Sequence, residues 1–123
     1  MKTRREFVKQ GLLAGATIAL SSACRFPRGD RPRIDTDSIE NLRSSFSGQL
    51  ILPEDEVYDS ARSVYWRNAS TDKRPALIAR CAVPTDVARC IEFAADKDLV
   101  LAVRGGGHSF LGWGTCDDGL AAR

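Results

Sequence analysis

The chain has 123 residues, one small domain's worth, and its 43% hydrophobic content excludes a wholly disordered polymer. The formal net charge of +2 hides a split: residues 1–34 hold eight basic against two acidic side chains (+6), and residues 35–123 hold ten against fourteen (−4). A mildly acidic body lacks the basic face that nucleic acid demands, so no nucleic-acid partner is expected. Four cysteines are too few for a disulfide framework. With one histidine in the chain, the spacing of Cys81, Cys90 and Cys116 matches no zinc pattern, so no metal is expected.

Residues 1–23 are ordered as an export signal. Lys2, Arg4, Arg5 and Lys9 form a positive head, Gly11 to Leu20 an apolar run, and Ser21-Ser22-Ala23 a small-residue cleavage site. The uncharged stretch from Gln10 to Cys24 is 15 residues, shorter than the ~20 that a spanning helix needs. Thr3-Arg4-Arg5-Glu6-Phe7-Val8-Lys9 resembles the twin-arginine motif, with Val8 where Leu is usual. That resemblance implies export in the folded state to the periplasm or beyond. Cys24 offers an alternative, lipidation, but Ser21 stands where a lipobox wants Leu and Leu20 is one place early. Membrane contact is therefore expected only through the signal or a lipid on Cys24. Residues 24–37, basic and containing Pro27, Gly29 and Pro32, read as a linker.

Residues 38–74 read as a leading helical segment. Asp37 is placed to cap a helix, with Glu40 at capping-box spacing; Ile39, Leu42 and Phe46 form its apolar stripe and Gly48 its stop. Gln49 to Leu52 is a short apolar step ended by Pro53. Glu54, Asp55 and Glu56 suit the first turn of a second helix, with Val57, Ala61, Val64 and Tyr65 as its stripe.

Residues 75–123 alternate strand and helix. Ala76 to Ala79 is a buried-strand candidate. Thr85 and Asp86 are capping material for a helix whose apolar positions are Val87, Cys90, Ile91, Ala94 and Ala95. Leu99 to Val103 is an apolar run suited to a strand buried on both faces. Strand, helix and strand at this spacing predict a βαβ unit and an α/β fold. Cys90 on the apolar helix face and Cys81 just past a strand are expected to be free thiols.

The chemistry lies at the end of the second strand. Arg104-Gly105-Gly106-Gly107-His108-Ser109 follows it directly. Three glycines let the backbone approach a ligand closely, and successive N–H groups in such a turn make an anion nest. Arg104 adds positive charge and Ser109 a hydroxyl, a set suited to a diphosphate. The spacing is neither GxGxxG nor GxxxxGK[ST], which argues against a P-loop nucleoside triphosphatase.

The stretch from Pro75 to Ser109, PALIARCAVPTDVARCIEFAADKDLVLAVRGGGHS, closely resembles the flavin domain of the berberine-bridge-enzyme-like FAD-linked oxidases. These belong to the PCMH-type, vanillyl-alcohol-oxidase-like superfamily. Gly48, Pro53, Tyr58 and Trp66-Arg67-Asn68 resemble the segment leading into that domain, so the likeness covers roughly residues 38–120. It implies the first βαβ part of an α+β FAD-binding domain. It further implies that Gly105, Gly106, Gly107 and Ser109 hold the FAD diphosphate, and that His108 bears a covalent bond to the flavin 8α-methyl. Arg104 is their neighbour in the cofactor-binding set.

Members of that family are several times longer. Their second flavin-linking Cys, further FAD segments, substrate domain and catalytic residues lie downstream, and Cys116 stands too close to His108 to be that Cys. The chain is therefore expected to be an N-terminal fragment or truncated frame without catalytic residues of its own, its folded part too small to bury an FAD alone and leaving a sheet edge open. The expected function is FAD binding within an exported oxidoreductase that takes hydride from a small molecule of unspecified identity and passes electrons to oxygen. The alternatives are a non-catalytic remnant and an envelope domain for another phosphate ligand.

Overall fold

The computed structural model describes residues 34–123. The twin-arginine head, the cleavage site, Cys24 and all of the linker before Ile34 lie outside the described residues.

A helix, α1 (Thr36–Ser45), comes first, capped by Asp35. The Asp35 carboxylate accepts from Ser38 N–H (2.8 Å) and Ser38 Oγ (2.7 Å), and Lys97 Nζ donates to it at 2.9 Å. These bonds, that of Lys97 foremost, hold the Asp35 carboxyl far below the usual carboxylate range. The cap is thus Asp35, not Asp37: two acids compete two residues apart, and Asp35 also reaches Lys97. The chain then forms β1 (Gln49–Ile51). Glu54 to Glu56 do not open the next helix. Asp55 instead closes a turn, accepting from Leu52 N–H at 2.7 Å, and α2 (Tyr58–Arg62) follows. Of the expected stripe, Ala61 and Val64 are buried while Val57 and Tyr65 are exposed. The short helix ends before a second turn could carry Tyr65 inward.

The remaining elements are β2 (Leu77–Arg80), α3 (Pro84–Asp96), β3 (Leu101–Val103) and β4 (Leu120–Ala122). They complete a four-stranded sheet in the order β1-β2-β4-β3. β1 runs antiparallel to β2, with Leu50 opposite Ala79. β4 runs parallel to both neighbours, with Ala121 between Ile78 and Ala102. The strand–helix–strand unit exists, but β4 is inserted between its two strands. Leu120 to Ala122 therefore lie inside the sheet, and the expected open edge falls at β3 among the described strands.

Strand alternation divides the core. Leu50, Leu77, Ala79, Leu120 and Ala122 point to one face, where they meet Leu42 of α1 and Cys90, Phe93 and Ala94 of α3. Ile51, Ile78 and Ala121 point to the other, against Tyr58 and Ala61 of α2. The Tyr58 hydroxyl is buried and donates to Pro75 O at 2.6 Å. Two expectations fail here. The inward face of α3 is Asp86, Cys90, Phe93 and Ala94, while Val87 and Ile91 are exposed. β3 is not buried on both faces: it is an edge strand among the described residues, and Val103 is 69% exposed.

Asp86 explains the rotation of α3. Its carboxylate is fully buried and accepts N–H bonds from Ser47 (2.9 Å), Ala82 (2.9 Å) and Val83 (3.3 Å). Burial pushes its pKa up, but the backbone donors outweigh that and hold it below the ordinary carboxylate value. It serves as the third helical residue reaching back to the Val83 N-cap, while Pro84 fills the first turn.

Candidate functional site

Residues 104–109 leave the sheet at the carboxyl end of β3, where ligands collect in parallel α/β sheets. Arg104 is their anchor. Its N–H continues the ladder to Ala122 O at 2.7 Å. Its side chain is buried, and the guanidinium donates only to main-chain carbonyls: Ala61 (2.7 Å), Ser63 (3.2 Å), Arg62 (3.2 Å) and, through Nε, Gly114 (3.1 Å). Those carbonyls include the unpaired ones at the end of α2. Burial lowers the Arg104 pKa. The arginine expected to face an anion is thus spent on holding the loop to α2 from beneath.

Above that anchor the loop is open. Gly107 has φ +73°, left-handed backbone that disfavours any side chain. At Gly105 an added Cβ would meet nothing within 4 Å, whereas at Gly106 it would lie 2.9 Å from His108 Cδ2. A cleft of about 300 Å³ runs along the loop, lined by residues 103–109 with Trp113 and Gly114. The Ser109 hydroxyl oxygen accepts from Trp113 N–H at 3.2 Å, which leaves its own proton to donate. His108 is exposed, its ring 4.9 Å from that of Tyr65, and Tyr65 N–H donates to Gly107 O at 3.1 Å.

The sequence reading missed this wall. Tyr65 meets Trp66 edge-on at 5.2 Å, and Trp66 meets Phe110 at 5.7 Å. This row of rings meets the loop at His108 through Tyr65, and Trp113, 78% exposed, lines the cleft along the glycines. The available signal was aromatic residues on both flanks of a glycine loop. Cys116 lies at the other end of β3, its thiol directed to Val100 O at 3.8 Å, and burial raises its pKa. A larger cleft of about 840 Å³ lies apart from the loop, its lining including Glu54, Asp72, Asp117, Asp118 and Arg74, with Asp72 paired to Arg62 and Asp117 to Lys73.

No family model matches the chain. It is 37% identical over 76 residues to (R)-6-hydroxynicotine oxidase of Paenarthrobacter nicotinovorans, covering 62% of this chain and 16% of that protein. It is 32% identical over 63 residues to the FAD-linked oxidoreductase ptmO of Penicillium ochrochloron, covering 51% and 14%. Among solved structures, 6-hydroxy-D-nicotine oxidase from Arthrobacter nicotinovorans superposes with TM-score 0.61 at 32% identity, covering 73% of this chain and 18% of that one. Physcomitrella patens BBE-like 1, variant D396N, superposes with TM-score 0.59 at 21% identity, which speaks for the fold alone. The chain spans about a sixth of the curated relatives it matches. Those relatives are oxidoreductases, one of them named as FAD-linked, and the chain shares with the solved oxidase the mixed α/β fold from which the glycine loop emerges.

Proposed function

We propose that residues 104–109 form part of an FAD site in a flavin-dependent oxidoreductase. The observation that carries this is the open glycine loop at the carboxyl end of β3, with room above Gly105 and left-handed backbone at Gly107. Backbone N–H groups of Gly105 to Gly107 and the free proton of Ser109 fit the diphosphate, because close approach there is limited by no side chain. His108 stands exposed at the lip as the covalent attachment point for the flavin. Arg104 acts one layer below: it positions the loop and leaves the diphosphate to the backbone. FAD held by this loop would supply a hydride acceptor for the oxidation and a route for the electrons to oxygen. The relatives support this reading over a phosphate-ligand domain or a remnant, since both are oxidoreductases. We also propose that residues 1–23 direct export by the twin-arginine route, on the strength of Arg4-Arg5 ahead of an apolar run and a small-residue cleavage site.

The test uses protein isolated with its flavin. His108→Ala is expected to remove fluorescent flavin from acid-precipitated protein while FAD is still bound before precipitation. The two jobs reside in different atoms: the diphosphate needs backbone N–H groups, and the covalent bond needs a ring nitrogen. Full retention of flavin in the His108→Ala pellet overturns the assignment of His108.

A further inference from the structure

Cys81 and Cys90 take no part in the loop. Cys81 follows β2 directly and is half-buried; Cys90 is fully buried on the inward face of α3. Their Sγ atoms lie 3.9 Å apart. We propose that this pair is a peroxide-sensitive modification site that closes to a Cys81–Cys90 disulfide. The bridge needs sulfurs about 2.05 Å apart. Cys81, only half-buried, is the less confined of the two side chains and the one that must move to close the gap.

The surroundings assign the two roles. Cys90 is sealed among Leu77, Phe93 and Leu99, and burial, with the Cys81 sulfur beside it, pushes its thiol up to about 12. Cys81 is the less buried of the two residues, so it is the one assigned the encounter with oxidant. Its thiolate attacks one oxygen of a peroxide. The S–O bond forms, the O–O bond breaks, and the departing oxygen leaves as water after taking a proton. Cys81 is then a sulfenic acid. The Cys90 sulfur attacks the Cys81 sulfur; the S–S bond forms, the S–O bond breaks, and the hydroxyl leaves with the Cys90 proton as a second water. Two thiols are oxidised to one disulfide, and one hydrogen peroxide is reduced to two waters. A resolving thiol already in contact intercepts the sulfenic acid before a second peroxide oxidises it further.

The product joins the end of β2 to the middle of α3. The sheet is undisturbed, because Cys81 pairs with the sheet through its backbone, its N–H donating to Arg123 O at 2.8 Å. Cys116 stays out of the reaction, buried and turned to Val100 O.

The sequence offers a direct readout. Trypsin cuts after Arg80, Arg89 and Lys97, so Cys81 and Cys90 fall in separate peptides, residues 81–89 and 90–97. Reduced protein is treated with one equivalent of hydrogen peroxide, then alkylated in denaturant and digested. Expected is the joint loss of both alkylated peptides and the appearance of one linked species that reductant splits. The alkylated Cys116 peptide stays constant. In Cys90→Ala, Cys81 is expected to be captured as a sulfenic-acid adduct by a dimedone-type reagent. Three results each overturn the proposal: Cys81 and Cys90 both still fully alkylated, Cys81 driven to sulfinic acid with Cys90 unlinked, or Cys81 joined to a different cysteine. No flavin enters the experiment, so its failure leaves the FAD reading untouched.

Discussion

Glycine is used for two separate reasons in the loop, and substitutions tell them apart. Gly107 needs its residue type for backbone conformation: at φ +73° an L-residue pays about 1–2 kcal/mol, and more when β-branched. Gly107→Val is expected to destabilise the fold by about 2 kcal/mol in urea titration and to lose FAD with it. Gly105 has ordinary backbone and open space where a Cβ would stand. Gly105→Ala is therefore expected to leave stability within about 0.5 kcal/mol of the parent, yet to weaken FAD binding, because the methyl occupies ground the diphosphate needs. Unchanged FAD affinity in a stable Gly105→Ala protein would refute the cradle. Gly106 sits between these cases, since its added Cβ would press only on the movable His108 ring. The motif and its chemistry were legible in RGGGHS. The use of Arg104 was not, because three of its guanidinium's four partners are carbonyls of residues 61–63, some forty positions away, and carbonyls carry no sequence signature.

Helix α3 shows how a polar group can override apolar periodicity. Val87, Cys90, Ile91, Ala94 and Ala95 make a regular stripe, yet the helix turns so that Asp86 and Phe93 point inward. The reason is that three N–H groups, from Ser47, Ala82 and Val83, would otherwise lack a partner at the junction of α1, β1 and α3. Asp86→Ala orphans all three and is expected to lower Tm by roughly 10 °C. The pH dependence follows from the depressed pKa. A carboxylate whose folded pKa lies below its unfolded value contributes stability that is whole above about pH 4 and is lost as pH falls through the folded pKa. Asp35, depressed by Lys97 and Ser38, acts with the same sign. Acid titration of Tm should therefore show a steeper fall below about pH 4 in the parent than in Asp86→Asn, whose amide does not titrate. Parallel curves would mean that the Asp86 carboxylate is not what the junction depends on.

The sequence order of the strands conceals how the sheet is assembled. Composition and the strand–helix–strand spacing were enough for an α/β fold, and the apolar runs located β2 and β3. Leu120 to Ala122 carried no strand signal, having neither a β-branched nor an aromatic residue. Its state is imposed from both sides by long-range pairing, which no local pattern encodes. Localisation is a separate property of the chain. If Arg4-Arg5 is a twin-arginine signal, replacing both by Lys should leave the protein in the cytoplasm; unchanged export would refute that reading. The fold offers a more demanding test. Among the described strands β3 pairs only with β4, and β4 is the parallel neighbour of β2. Both hydrophobic clusters also draw on it, Leu120 and Ala122 on one face and Ala121 on the other. Ending the chain at Gly119 therefore removes one strand and leaves a second, β3, without a partner among the described strands, and it opens both clusters to water. It also takes Ala122 O from Arg104 N–H and so loosens the base of the glycine loop. The shortened chain is expected to lose its cooperative thermal transition and its near-ultraviolet dichroism. Ala121→Val, which overfills one cluster while keeping every strand, should cost only about 1–3 kcal/mol and keep both signals. A shortened chain that melts cooperatively near the parent Tm would show that β1, β2 and the helices form a fold by themselves, and that β4 is an addition to the sheet and not its centre.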